Sequence, residues 1–382
     1  MKNILFIGNP NSIHDIKWIS YFSNKPNQYK TYLIYEKQIK IDIYQLKKEL
    51  NEKNIILLDP ISSFSLIRSF STIHSLISIN KIIKKFNVDI IHILFATPHA
   101  FWGLFLKNPF IITTRGSDIL KVIPSLKSEK GIKKIYFEIL FYILKFNFKK
   151  ANVITSTSEF QIENINKLFS VKSQLIKTGI DFDQIQKEQD KDLLHSSIKG
   201  KKYIFSPRFF SPIYNINLQI EAIKYFKKEI INEYVFVFIK GKNYDSDYAL
   251  KIEKKLNSLS DSLKINYVIL NFLSQEEMWC YFQNTSLTIM TPISDGTPNS
   301  ALEAMASKSP LIISDLPHLD NKLFSNTCIK FKGNDPEILA KIIEKTILNY
   351  PINLLDKALL NVEKYGNRIT EMKKIEFLYE SI

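Results

Sequence analysis

Short runs of consecutive apolar residues alternate along this chain with longer segments in which polar and apolar positions mix at helical spacing. In the first half the runs fall at 3–7, 32–35, 55–58, 90–94, 110–113, 152–155 and 173–176. Runs this short, without polar alternation and separated by helix-length segments, predict buried strands of a parallel sheet covered by helices. A first helix begins at 17–22. The pattern lapses over 184–202, a polar stretch with little periodicity that reads as the passage between two domains. It restarts with predicted strands at 203–206, 235–239, 265–270, 287–290 and 311–314. Helices are predicted at 218–226, 247–256, 275–282, 300–306 and 336–348, and 352–379 is helical in pattern. Ser274-Gln275-Glu276-Glu277 is a capping box that fixes one helix start.

At 382 residues the chain exceeds a usual single core, so two α/β domains in series are expected, each of Rossmann type. No G-x-G-x-x-G occurs and there are 10 glycines, which disfavours an NAD or FAD fingerprint. Phosphate would then be held by helix termini and side chains.

The segment after the apolar run at 287–290 carries the most chemistry. It reads Ser294-Asp295-Gly296-Thr297-Pro298-Asn299-Ser300-Ala301-Leu302-Glu303-Ala304-Met305-Ala306. Gly296, Pro298 and Asn299 are residue types that build a tight turn and open a helix. A helix N-terminus offers free N–H groups and a favourable dipole to an anion. Two carboxylates, Asp295 and Glu303, bracket that spot. A nucleotide-sugar suits it, with a diphosphate at the centre and hydroxyls at both ends. Ser206-Pro207-Arg208 closes the first strand of the second domain, and a planar guanidinium there suits diphosphate oxygens.

The spacing of Asp295 and Glu303 resembles the Glu-x7-Glu signature of glycosyltransferase family 4, and the resemblance extends over nearly the whole chain. It implies the GT-B architecture: α/β, two Rossmann-like domains with parallel sheets facing a cleft. Residues 1–195 would bind the acceptor and 196–360 the nucleotide-sugar, with 361–382 returning to the first domain. The activity implied is retaining hexosyl or N-acetylhexosaminyl transfer, with a UDP-sugar as the expected donor. The acceptor would be a glycan or lipid-linked molecule in surface polysaccharide or glycoconjugate synthesis. By the resemblance, Asp295 (Asp where the family has Glu) contacts the donor sugar, Glu303 holds the ribose, and Arg208 neutralises the leaving diphosphate. Thr297, Pro298, Asn299, Ser300 and Gly296 complete the donor turn. The loop 271–274, with Leu273, lies where the family binds the base. A family Lys some six residues after Arg208 is replaced by Tyr214, and Lys242 is the candidate substitute. Thr113-Thr114-Arg115-Gly116-Ser117-Asp118 resembles a Thr-x-His-Gly-Ser-Asp segment, with Arg115 in place of the His. Arg115 and Asp118, with His14 in the loop after the first strand, are the acceptor-side candidates. No metal or other cofactor is expected.

The formal charge is +14. That excess points to phosphorylated substrates, an anionic membrane face or nucleic acid, or it reflects an Ile/Lys/Asn-rich composition. Residues 121–150 mix Lys121, Lys127, Lys130, Lys133, Lys134, Lys145, Lys149 and Lys150 with aromatics. Such a helix fits an anionic membrane surface, where each Lys contributes on the order of 1 kcal/mol, or is an ordinary helix with a buried aromatic face. No recognised nucleic-acid motif appears. Cys280 and Cys328 form no metal or redox spacing. The N-terminus lacks a signal peptide's apolar core and no segment reads as a membrane span. A cytoplasmic enzyme, peripheral at the inner face of the membrane, is therefore expected. A sugar-nucleotide epimerase on the same architecture, a basic nucleic-acid-binding protein and an inactive subunit remain the alternatives. His92 and His99 flank a loop after a buried strand and fit either the core or the site. His74, His195 and His318 carry no motif.

Overall fold

The computed structural model describes the chain apart from residues 38–41, 127–129, 243, 296 and 318 and the side chains of 121, 132, 133 and 321. The chain divides into two units. Unit 1 is Met1–Thr178 with Glu371–Ile382, and unit 2 is Gly179–Thr370.

Unit 1 holds a 7-stranded sheet ordered β3-β2-β1-β4-β5-β6-β7. Its strands are β1 (Lys2–Ile7), β2 (Tyr29–Ile34), β3 (Ile55–Leu57), β4 (Ile90–Leu94), β5 (Phe110–Thr114), β6 (Val153–Ser156) and β7 (Gln174–Leu175). Every pairing is parallel. The intervening helices are α1 (Ile13–Ser23), α2 (Ile43–Glu52), α3 (Ser69–Lys85), α4 (Ile123–Leu126), α5 (Ile132–Lys150) and α6 (Glu159–Phe169). They cover both sheet faces. One core gathers Trp18, Phe22 and Leu50 from α1 and α2. Another gathers Ile79, Leu144, Phe148 and Ile165 from α3, α5 and α6.

Unit 2 repeats the plan. A short helix α7 (Phe182–Ile185) precedes a 6-stranded sheet ordered β10-β9-β8-β11-β12-β13. The strands are β8 (Lys202–Ser206), β9 (Tyr234–Ile239), β10 (Asn266–Leu270), β11 (Leu287–Met290), β12 (Leu311–Ser314) and β13 (Ile329–Phe331), again all parallel. The helices are α8 (Ile216–Ile223), α9 (Lys228–Glu233), α10 (Ser246–Leu263), α11 (Gln275–Asn284), α12 (Asn299–Ala306), α13 (Asn321–Phe324), α14 (Pro336–Leu348), α15 (Ile352–Gly366) and α16 (Arg368–Ser381). Each sheet thus has the doubly wound order expected from the apolar runs.

Three details depart from the pattern. Strand β13 has three residues, too short a run to stand out. The polar passage foreseen at 184–202 belongs to unit 2. Ile185, Leu194 and Ile198 are buried in its core with Tyr203 and Phe205, so the division falls at Gly179 rather than near residue 195. The predicted helix 352–379 is two helices. Asn367 leaves the helix to bridge Ile180, and Gly366 packs close to Leu302 and Val362. Only residues 371–382 return to unit 1, where Met372, Ile375, Leu378 and Tyr379 enter the core with α1.

Tyr379 is tied to the sheet by a buried polar chain. The Thr155 and Thr113 hydroxyls lie 2.7 Å apart, His92 Nε2 is 2.7 Å from Thr113 Oγ1, and His92 Nδ1 is 2.5 Å from the Tyr379 hydroxyl. His92 is therefore a core histidine. Burial, helped by the Arg115 charge, pushes its pKa down from 6.5 to about 3. The unfolded chain takes up a proton on this ring between those two values while the folded chain does not. The stability it contributes is complete above pH 6.5 and drains away toward pH 3, at up to about 1.4 kcal/mol per pH unit. Urea unfolding at pH 7 and pH 5 should therefore show His92→Phe losing less stability on acidification than the wild type, by roughly 2 kcal/mol. Equal losses would contradict this assignment.

Candidate active site

In a doubly wound sheet, ligands bind beyond the C-terminal ends of the strands where the order reverses. In unit 2 that reversal lies between β8 and β11. Arg208 follows β8 by two residues, and the 295–300 segment joins β11 to α12. Residues 92 positions apart are brought together for this reason. The Arg208 Nη1 donates to Ser300 Oγ at 2.9 Å, and Nη2 to Asp295 Oδ2 at 3.0 Å.

The face of the same guanidinium lies 3.9 Å from the Tyr214 ring centroid. Tyr214 ends a 3₁₀ turn (Pro212–Tyr214), and Asn215 then takes a left-handed conformation to open α8. The Thr291 hydroxyl reaches the carbonyl of Asn215 at 3.1 Å, and the Ile293 N–H donates to the carbonyl of Ile213 at 2.9 Å. The loops after β8 and β11 are thereby tied together. Phe209 packs edge-on to Tyr214 at 4.8 Å. The guanidinium fork is fixed by stacking below and two oxygen acceptors at its edge. Among the described residues its Nε is buried without a hydrogen-bond partner, as is Thr297 Oγ1.

Helix α12 starts at Asn299 after Pro298, which has no side chain to cap it. The N–H groups of Asn299 and Ser300 have no intrahelical acceptor, and the helix dipole adds positive potential at this end. Arg208 and the helix start thus lie side by side, joined through Ser300. Glu303 lies one turn into α12. Gln275 Nε2 lies 3.5 Å from Glu303 Oε1 and 3.3 Å from Asp181 Oδ2. Asp181 in turn pairs with Arg368. The carboxylate is thus oriented by a chain that runs to the start of α16.

The other predicted residues of unit 2 line the same sheet edge. Lys242 follows β9, is exposed, and its Nζ sits 4.0 Å over the Phe272 ring. Leu273 follows β10 and is buried. Gly296 and His318 lie outside the described residues. Three neighbours went unnoticed as partners in the sequence. In sequence Gln275 shows only as part of a capping box and Tyr214 only as a missing Lys, and nothing marks Asp181.

In unit 1 the strand order reverses between β1 and β4. Asp15 stands at the start of α1, close to the end of β1. Its carboxylate accepts the Asn9 N–H at 2.8 Å and pairs with Arg115 Nη2 at 3.1 Å. A Cβ on Gly8 would fall 2.8 Å from that carboxylate, which explains a glycine there. Arg115 also lies 5.0 Å over the Trp18 ring. Among the described residues none of its guanidinium nitrogens meets hydrogen-bond geometry, so the Asp15 contact is an ion pair by distance without a well-aligned N–H. Burial lowers the Arg115 pKa from its ordinary value, against the opposing pull of Asp15 and Asp118. Asp118 is fully buried and accepts N–H groups of Ala96, Arg115, Gly116 and Ile119 at 2.9–3.2 Å. Burial still raises its pKa, with those N–H groups pulling it back. It pins the loop after β5 to the loop after β4. His14 is exposed at the start of α1, and His99 is buried 3.4 Å from Glu36. Among the described residues no group of His, Cys, Asp and Glu is arranged to hold a metal ion.

Two family models divide the chain: "Glycosyl transferase 4-like" over residues 3–158 and "Glycosyl transferases group 1" over residues 187–366. An O-antigen chain mannosyltransferase of Salmonella typhimurium is 25% identical over 194 residues, 51% of this chain. The chain spans half (50%) of that relative's length. A glycosyltransferase from Rickettsia africae superposes with a TM-score of 0.75 at 16% identity, covering 100% of this chain and 98% of the other. Anabaena HepE, solved in complex with UDP, gives a TM-score of 0.75 at 11% identity with full coverage (100%) of both chains. These likenesses establish the fold.

The packing beneath Arg208 makes a sharp stability prediction. Gly241 has φ +82°, and an added Cβ would lie 2.4 Å from Phe209 Cβ. Gly200 has φ +73° but faces open space. Gly200→Ala should cost only the left-handed backbone penalty, about 1–2 kcal/mol. Gly241→Ala should add roughly 1–3 kcal/mol of overpacking. Denaturant melts of the two variants compare them directly, and equal destabilisation would contradict the close Phe209 contact.

Proposed function

The chain belongs to the group 1, family 4-like glycosyltransferases of GT-B fold, and on that premise we propose that it is a retaining hexosyltransferase acting on a nucleotide diphosphate sugar. UDP is the proposed nucleotide, and the acceptor a glycan or lipid-linked molecule. The observation that supports this best is the meeting of Arg208, Ser300 and Asp295 at the start of α12.

In this reading the diphosphate lies against the first turn of α12 and shares the Arg208 fork with Asp295. Thr297 Oγ1 and Arg208 Nε, which have no hydrogen-bond partner among the described residues, are the further donors assigned to its oxygens. As the bond from the sugar C1 to the leaving phosphate oxygen breaks, negative charge grows on the diphosphate. Fixed donors that face this charge need no reorganisation, and one such donor is typically worth about 10²–10³ in turnover. The acceptor hydroxyl attacks C1 from the face that the diphosphate leaves, and its proton passes to the departing phosphate oxygen. Asp295 contacts the donor sugar. Glu303, oriented through Gln275, accepts the ribose hydroxyls.

In unit 1, Asp118 shapes the acceptor-side loop through backbone N–H groups rather than touching a sugar, and Arg115 with Asp15 sets its charge. His14 faces the acceptor. The absent family Lys is offset by Tyr214, which holds Arg208 in place, while Lys242 serves the outer edge of the donor site.

Calorimetry against UDP-, GDP- and CMP-sugars identifies the donor base. Glu303→Ala should weaken donor binding by about tenfold or more, equivalent to about 1.4 kcal/mol. A variant that binds like the wild type would contradict the ribose role. Asp295→Ala should lower turnover by roughly 10²-fold while binding of the bare nucleotide changes little. Equal losses in the two measurements would contradict its assignment to the sugar.

A further inference from the structure

The positive charge of this chain is concentrated. Residues 62–150 hold fourteen Lys and Arg against four Asp and Glu, ten of the fourteen net charges in about a quarter of the sequence. One of those four acids, Asp118, is fully buried.

Exposed apolar side chains gather on the same segment. On α3 they are Phe70 (89% exposed), Ile73 (52%) and Ile77 (48%), spaced three and four residues apart. On α5 they are Ile135 (63%), Ile139 (46%), Tyr142 (66%) and Phe146 (53%), at spacings of four, three and four. Each set is one stripe along its helix. The inward sides of both helices share a single core, Ile79 from α3 with Leu140, Leu144 and Phe148 from α5. The two stripes therefore point away from the same face of the sheet. The 3₁₀ turn His99–Phe105 joins them. Phe64, just before α3, stacks on Phe101 at 5.1 Å, and Asn147 of α5 donates to the carbonyls of Ala100 and Phe101. Phe105 adds a further exposed ring. Lys81, Lys84, Lys85, Lys107, Lys134 and Lys149 are exposed around these stripes. Lys150 is not part of the set, because its ammonium caps the carbonyls of Gly103, Leu104 and Leu106.

A monomer rarely exposes so much apolar surface without an occupant. Protein interfaces are depleted in Lys. Aromatic and branched side chains bordered by lysines are what an anionic bilayer surface takes, rings and aliphatic groups in the headgroup layer and ammonium groups on the phosphates. We propose that α3, α5 and the turn between them seat unit 1 on an anionic lipid surface. The geometry extends the sequence expectation for 121–150 to a second helix, and no helix among the described residues is long and apolar enough to cross the membrane instead. The proposal rests on the glycosyltransferase reading only in that a lipid-linked acceptor would be met on this surface. Donor binding in unit 2 does not depend on it.

The test is co-sedimentation of the full chain with phosphatidylcholine vesicles containing about a third phosphatidylglycerol, and with pure phosphatidylcholine. Binding is expected to the anionic vesicles only and to fall severalfold between 0.1 and 0.5 M salt. Phe70→Ser/Tyr142→Ser/Phe146→Ser should reduce partitioning at least tenfold. Lys84→Gln/Lys85→Gln/Lys149→Gln, which touches only exposed charges, should reduce it severalfold and guards against misfolding of the first variant. Binding of UDP measured on the same preparations should be unchanged, so loss of vesicle binding alone separates this surface from the donor site. Equal binding to both vesicle types, no vesicle binding, binding to heparin or duplex DNA but not vesicles, or variants that change self-association instead would each overturn the proposal.

Discussion

The donor site proposed for unit 2 depends on holding one guanidinium still. Arg208 stands at the end of β8, where the strand order of unit 2 reverses, with Tyr214 under its face and Ser300 and Asp295 at its edge. A surface Arg would spend its charge on water and on rotamer freedom. Here the aromatic ring and the two oxygens fix the fork beside the uncapped start of α12. The tie between the loops after β8 and β11 fixes the ring in turn, through Ile293 and Thr291. Glu303 follows from the same helix, and the Gln275–Asp181–Arg368 chain gives it a direction.

Unit 1 uses the same topological position for a different arrangement. Arg115 also sits on an aromatic ring and beside a carboxylate, Trp18 and Asp15. Its side chain is only 10% exposed, against 16% for Arg208, and Asp118 draws the surrounding backbone inward. In the proposed reading Arg208 offers its charge to a ligand, while Arg115 and Asp118 are held within the loop after β5. That difference agrees with a sequence in which Arg115 stands where the family has a histidine.

Much of the fold was legible because buried parallel strands are written as uninterrupted apolar runs. The runs at 90–94 and 287–290 have the bounds of β4 and β11. The passage at 184–202 misled because Ile185, Leu194 and Ile198 are too widely spaced to show a period, yet all three are buried. A polar stretch can belong to a core when a few isolated apolar residues anchor it. Within the candidate site, the strand, turn and helix start between β11 and α12 were legible because their residue types occur together in sequence. The contacts that tune it were not. Tyr214 reaches Arg208 through a 3₁₀ turn, and Arg115 meets Asp15 across 100 positions. No local pattern encodes either pairing. The lysine-rich aromatic segment was visible, but its continuation onto α3 required knowing which helices share a face.

The central claim is that the diphosphate of the donor is gripped where Arg208 meets the start of α12. A crystal of the protein grown with UDP tests it most directly. The account predicts phosphate oxygens within hydrogen-bonding distance of the Arg208 guanidinium and the Ser300 N–H, with the ribose hydroxyls on Glu303. Density for the nucleotide elsewhere on unit 2, with Arg208 still paired only to Asp295 and Ser300, would contradict it.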